Sequence, residues 1–385
     1  VVAPDAIGRW SAEVSPDVAV QSAPWEALLV CAVLLFAPSL ASQRTTPAWQ
    51  LLALAAALVV TLFASTATLA YAAVAAAALI HAIGAWPRSR TGALVLALSA
   101  LAAVSAAVAM AGDRLAAAFL LSGLAVALRA GVMPFHVGVA ALCERAPVVQ
   151  TEQLASTIAL VFVHLRFVDH HAAAVDLAPM LVRYGAAACV AAALMTLVQR
   201  DLRGLYRGTT AMHGGMLLAG MGAASLGNFA AALLVAVAMG LALGGLGLII
   251  TSLEDRVGPV AFAGPGGRAR TFPRLAAAFA LFGGAGVGLP GTAGFVADDL
   301  LLHTLWFESP ASTVTVILSS AMLAVATLAS FSKVFLGPTT PSLAPDLHAR
   351  ERLVLVLLLI GLLLLGFVPG ALLGPADAFL TNPPL

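Results

Sequence analysis

Charge is what this sequence has least of. Of 385 residues only 10% are Asp, Glu, Lys or Arg, while 61% are hydrophobic and the mean hydropathy is +1.02. A soluble domain carries about 25% charged residues, and a water-facing surface for this chain could not be covered with so few. A bilayer removes that demand, because lipid solvates apolar side chains and penalises charged ones. Lysine is nearly absent: Lys333 is the only one among 19 basic residues. With a net charge of +1 there is no electrostatic basis for a nucleic-acid partner. Cys31, Cys143 and Cys189 are too scattered for a CxxC pair or a metal site, and read as small apolar packing residues. No phosphate loop, dinucleotide fingerprint, HExxH or nucleophile elbow occurs. No flavin, haem or iron–sulfur ligand set occurs either. The expectation is a chain with no catalytic site, metal or cofactor of its own.

Long apolar runs are present instead. A spanning helix needs about 20 apolar residues. Candidates lie near 25–41, 48–65, 67–86, 92–112, 115–134, 152–168, 179–198, 209–224, 228–251, 273–290, 311–336 and 352–373. The expected fold is an all-α, polytopic transmembrane bundle of 11–12 helices, two of them discontinuous. Residues 1–24 are polar and read as an extramembrane tail with no cleavable leader; 25–385 read as one transmembrane domain. The stretches 253–272 and 337–351 read as loops. Arginine is lopsided between alternate loops. Odd loops hold Arg44; Arg88 and Arg90; Arg145; Arg200, Arg203 and Arg207; Arg256, Arg268 and Arg270; Arg350 and Arg352. Even loops and the tail hold Arg9, Arg114 and Arg166. The positive-inside rule then expects the odd loops in the cytoplasm and both termini outside.

Ionisable groups at membrane depth are costly and therefore candidates for function. Arg129 lies in LALRAGVMPFH, where Pro134 ends or kinks the helix and frees backbone carbonyls. Its alternative reading is an arginine snorkelling to the headgroups. Glu144 and Glu152 are the carboxylates nearest to it in sequence. His81, His164 and His213 fall inside apolar segments. His213 stands out, because Gly214 and Gly215 beside it permit close backbone approach. Asp298 and Asp299 follow GLPGTAGF and read either as a proton-sharing pair or as the N-terminal cap of the segment DDLLLHTLW. Lys333, near a helix end, reads by default as a snorkelling cation.

Three stretches resemble the antiporter-like, proton-translocating membrane subunits of respiratory complex I, Mrp antiporters and membrane hydrogenases. That family also includes a partner subunit of an inorganic-carbon uptake system. Residues 129–160 match its PFH–Glu–turn–helix pattern at Pro134, Phe135, His136, Glu144, Val149, Ala155 and Thr157. Residues 199–220 match at Asp201, Leu202, Arg203, Leu205 and Gly215. Residues 281–302 match its GLPxxxGF break at Gly288, Leu289, Pro290, Gly294 and Phe295. The resemblance covers about 110–340 and implies helix breaks at Pro134, Gly288 and Pro290. It also implies a proton path drawn from Arg129, His136, Glu144, His213, Asp298 and Lys333. The departures are specific. The family's channel lysine falls on Arg129, its helix histidine on Leu154, and its later lysine on Asp298. A middle lysine falls within 239–244 and a glutamate within 73–78, where this chain has no ionisable residue. The resemblance therefore implies a membrane subunit of a proton-translocating NADH-quinone-oxidoreductase-like complex that conducts or couples proton movement. The alternatives are a non-conducting scaffold of such a complex, or a membrane partner in inorganic-carbon or cation transport. The expected partners are other membrane subunits and lipid, in an inner or plasma membrane.

Overall fold

A computed structural model describes residues 34–42, 46–87, 89–143, 150–168, 172–224, 229–338, 342 and 344–370. Among these, the chain forms α-helices and no β-strand; Asp201 and Ala261 make an isolated antiparallel bridge. The first seven helices are α1 (34–41), α2 (Ala48–Phe63), α3 (Ala67–Ala85), α4 (Arg90–Ala111), α5 (Leu115–Ala130), α6 (His136–Cys143) and α7 (Gln150–Phe167). The remainder are α8 (Ala172–Leu197), α9 (Leu202–Ala224), α10 (Phe229–Val257), α11 (Pro273–Ala285), α12 (Ala293–Glu308), α13 (Pro310–Phe335) and α14 (Ala349–Phe367).

Side-chain size is sorted as a bilayer requires. Along α4, Ala93, Ala100, Ala103 and Ala107 are buried, while Leu94, Leu98, Leu101 and Val108 face outward. Water would favour the reverse. In lipid the large apolar groups are solvated outside, and small residues let helices approach closely inside. The outer faces of α13 and α14 are likewise apolar, with Leu318, Val325, Leu328, Ile360 and Leu364 exposed. At the centre stands α10, buried from Ala231 to Glu254. A helix that is apolar all round belongs inside a bundle.

Among the described residues, five helices are long and apolar enough to cross a bilayer unaided: α3, α4, α8 from Ala174, α10 and α13. The expected spans at 115–134 and 273–290 each end in a break: α5 stops at Ala130 and α11 at Ala285, and α6 and α12 follow beyond them. Several boundaries move. Helix α9 begins at Leu202 rather than near 209, so Arg203 and Arg207 lie on its first two turns and not in a loop; Arg256 likewise lies in the last turn of α10. Helix α8 starts at Ala172 and carries Pro179 within it. The capping reading of Asp298 and Asp299 is overturned, because Thr292 is the N-cap of α12 and the two acids sit in its second turn. Glycine explains the miss: Gly291 takes φ 86, so the chain reverses before the acids and not at them.

One end of the bundle is stapled by ion pairs. Arg203 on α9 grips both Glu254 oxygens on α10 at 2.7–2.9 Å. Arg256 meets Glu351 of α14 at 2.6 and 3.1 Å and donates to the Pro345 carbonyl at 2.7 Å. Asp346 accepts from the Arg274 and Leu275 amides at the start of α11. The 258–272 segment pairs with the end of α13 through Gly267 N to Leu336 O and Ala269 N to Phe335 O.

Candidate functional site

The first break begins where Gly131 closes α5 in the left-handed region, at φ 70, with its amide returned to Ala127 O. A cis Met133–Pro134 bond follows, and Tyr184 of α8 donates to Met133 O at 2.6 Å. Arg129, two residues before the turn, is 1% exposed and is among the largest fully buried side chains. Its guanidinium donates to Ser156 O on α7 at 3.1 Å and to Val74 O on α3 at 3.2 Å. Gln153 donates back to Arg129 O at 2.5 Å. Among the described residues no carboxylate pairs with Arg129 and its Nε has no partner. The snorkelling alternative does not describe this side chain; its charge is held by carbonyl dipoles inside the protein.

Polar residues continue along the same three helices. On α3, Tyr71, Val74 and His81 share a face; on α5, Ser122 and Arg129; on α7, Gln153, Ser156 and His164. Seven residues separate Ser122 from Arg129, about 10 Å of helix. At the far end Tyr71 donates to Ser122 at 2.9 Å, and Ser122 lies 3.0 Å from Nδ1 of His164, which packs on Phe119. At the near end His81 Nε2 stands 3.9 Å from Glu152 Oε2, and Thr46 donates to Glu152 Oε1 at 2.6 Å. The result is a buried polar stripe with Arg129 at its middle.

The second break is built differently. Gly288 and Gly291 take φ 80 and 86, and Leu289 and Pro290 are exposed. Gly294 lies so close to Ala285 O that no side chain would fit, which holds α12 against the end of α11. A cavity of about 10 Å³, at the lower limit for one water, opens here between His213, Asp298, Met216, Met239 and Gly286. Asp298 is half-buried with its carboxylate turned toward Gly288. His213 donates through Nδ1 to Thr209 O at 2.8 Å, and its ring stands against Gly286.

Helix α9 joins the two breaks. A Cβ on Gly214 would lie 3.0 Å from Ala130 O and Val132, at the first break. On Gly215 it would lie 2.8 Å from Gly185 O and the Cys189 sulfur of α8. The motif His213-Gly214-Gly215 thus faces the second break with its imidazole and the first with its bare backbone. Of the residues expected in one path, Arg129 reaches the stripe, while His213 and Asp298 share the second cavity. His136 opens α6, half-buried, with its Nδ1 buried and unpaired. Lys333 is exposed at the end of α13, its ammonium over Phe262 at 5.4 Å, and joins neither cluster. Glu144 lies outside the described residues. Among the described residues no group of acids, histidines and cysteines could hold a metal.

The resemblance places a helix glutamate within 73–78 of α3, where this chain has none. The structure supplies one from α7, at Glu152, which is 1% exposed. The available signal was the run Thr151-Glu152-Gln153 with Ser156 and His164 at helical spacing. Tyr71 and Ser122 carried no comparable signal, since a single hydroxyl in an apolar helix is ordinary.

Against known proteins, the model of the family described as NADH:quinone oxidoreductase/Mrp antiporter, TM, matches residues 24–324. NADH-quinone oxidoreductase subunit M of Escherichia coli (strain K12) is 26% identical over 214 residues, 54% of this chain and 42% of that one. Subunit N of Geobacillus kaustophilus (strain HTA426) is 29% identical over 280 residues, 66% of this chain and 55% of that one. The chain thus spans about half the length of the curated relatives it matches. In fold it is similar to a chain of respiratory complex I from Thermus thermophilus, with TM-score 0.79, 21% identity, and 92% and 83% of the two chains covered. It is similar also to a chain of the Mrp complex from Dietzia sp. DQ12-45-1b, with TM-score 0.76, 18% identity, and 94% and 84% covered. The family match takes in both helix breaks and the central α10, and this membrane protein belongs to the NADH:quinone oxidoreductase/Mrp antiporter transmembrane family.

Proposed function

We propose that this chain conducts or couples proton movement as a membrane subunit of a proton-translocating, NADH-quinone-oxidoreductase-like complex. The observation that carries the reading is Arg129, buried at a helix break with its guanidinium on two backbone carbonyls and, among the described residues, no acid paired to it. Burying a charge at membrane depth is costly, which makes such a residue a candidate for function. Arginine does not release its proton in an ordinary cycle. Its role is a fixed charge that biases protons on the histidines and carboxylate of the stripe. Other membrane subunits are the partners in this reading. The membrane is an inner or plasma membrane, with the arginine-rich ends cytoplasmic and both ends of the sequence outward. Proton flux in proteoliposomes tests it. Arg129→Ala should abolish flux, and unchanged flux would remove the arginine from the path.

A second reading is favoured by α10, which carries no ionisable residue between Phe229 and Glu254 and walls the second cavity with Val235, Ala238, Met239 and Ala242. A dry central helix suits a non-conducting scaffold that retains the fold and binds neighbouring subunits. A wild-type chain that copurifies with partners and shows no flux would select this reading.

A further inference from the structure

Among the described residues, nine buried polar side-chain atoms lack a hydrogen-bond partner, and five of them belong to Ser39, Gln50, His81 and Glu152. Buried polar atoms are nearly always paired, so a concentration of exceptions calls for an explanation. These four residues come from α1, α2, α3 and α7. His81 Nε2 and Glu152 Oε2 face each other at 3.9 Å. Thr46 occupies the other carboxylate oxygen at 2.6 Å, which leaves Oε2 for the imidazole. The Ser39 hydroxyl reaches toward the Glu152 carboxylate and the His81 ring toward the Ala77 carbonyl, both short of good hydrogen-bond geometry. The Gln50 amide lies over Gly84, one turn beyond His81.

We propose that Glu152 and His81 are the acid–base pair through which protons enter the buried stripe, an inference that rests on the proton-conducting reading above. In the forward step the O–H bond at Glu152 Oε2 breaks and an N–H bond forms at His81 Nε2, across one bridging hydroxyl or water. The carboxylic acid becomes a carboxylate and the neutral imidazole an imidazolium. The reverse step restores both, and nothing is oxidised.

Among the described residues, the surrounding elements bring no competing acid to the pair. Helix α2 brings no titratable side chain, and α4 brings Arg90, exposed at its start. Helix α6 brings His136. On α9 and α10, Arg203 pairs with Glu254, Arg207 lies toward Cys143, Asp255 is exposed, Arg256 pairs with Glu351, and His213 turns to the second break. Arg129 of α5 acts electrostatically on His81. An imidazolium at His81 therefore places a second positive charge near Arg129, and Coulomb repulsion passes the event along the stripe.

Infrared difference titration of the full chain in detergent tests the pair. The wild type should show a carboxylic C=O band that Glu152→Gln removes. His81→Gln should move its midpoint by about one pH unit or more. A band that survives Glu152→Gln, or a midpoint that His81→Gln leaves in place, overturns the proposal. Should Glu152→Gln fail to fold, Glu152→Asp carries the same test, and a band unchanged in frequency overturns it. The titration needs no flux. A chain that shows the coupled titration without conducting rejects the conduction reading and keeps the pair. A chain that conducts with an uncoupled titration rejects the pair and keeps conduction.

Discussion

The two helix breaks solve one problem in opposite ways. Each interrupts a helix inside a bundle, and each must satisfy the backbone groups that the interruption frees. At the first, between α5 and α6, side chains do this: the Tyr184 hydroxyl bonds Met133 O and the Gln153 amide bonds Arg129 O, while the Arg129 guanidinium bonds carbonyls of α7 and α3. At the second, between α11 and α12, backbone packs on backbone. Gly294 sits on Ala285 O, and Gly366 of α14 sits on Gly291 and Thr292. The first break holds a permanent charge in a filled site. The second holds a carboxylate and an imidazole around a small cavity. The difference teaches that a break can be stabilised either by polar side chains, which then become part of a charge path, or by glycine, which leaves room for one.

The largest effect should come from closing the second break. Gly294→Val drives a side chain into Ala285 O and should cost about 3 kcal/mol. Gly131→Ala at the first break meets the positive φ and the end of the Val139 side chain, and should cost about 2 kcal/mol. Thermal unfolding in detergent measures both, and equal losses would break the contrast. Next comes function at the second break. Asp298→Asn should lower proton flux on the order of tenfold or more while leaving the melting temperature nearly unchanged. A variant with wild-type flux would mark the cavity as packing only.

The smallest effect should come from the clamp that holds α14, and with it the second break, to α10. Burial acts to raise the Glu351 carboxyl. Hydrogen bonds from Arg256, the His348 amide and Ser252, with the arginine charge, outweigh it and set the group below its ordinary 4.5. A depressed carboxyl adds stability above its unfolded value and loses it as pH falls through the folded one. The clamp should therefore be intact at neutral pH and fail only under acid, as pH drops past the ordinary 4.5 and through the lowered folded value. Glu351→Gln should cost about 1 kcal/mol at pH 7 and nothing once the wild-type carboxyl is protonated. Hydrogen exchange should show α14 and the second break loosening with the first unaffected; loosening at both would merge the two regions into one unit.

Much of this was legible in one dimension. Low charge and long apolar runs require a bilayer bundle, because nothing else solvates such a surface. Pro134, Gly288 and Pro290 mark both breaks, because proline lacks a donor and glycine alone takes positive φ cheaply. Arg129 announces itself, since an arginine in an apolar run is expensive wherever it sits. Other features were hidden. The stripe joins Tyr71, Ser122, Arg129, Gln153 and His164 from three helices, and no local pattern states which faces meet. Glu152 read as one of two acids near Arg129 in sequence, and only packing places it against His81, 71 positions earlier. Asp298 read more readily as a helix cap, and only the Gly291 turn, with Thr292 as the N-cap, sets it inside the helix.

By itself, then, the sequence determined the solvent, the helices and where two of them break. These follow from transfer free energy and backbone sterics, which act residue by residue. Tertiary structure alone decided that Arg129 bonds the Ser156 and Val74 carbonyls with no acid paired to it among the described residues, that His213 faces one break while Gly214 touches the other, and that Glu152 meets His81. Those are distances between helices, and they depend on how small residues such as Gly214 and Gly294 let whole helices approach.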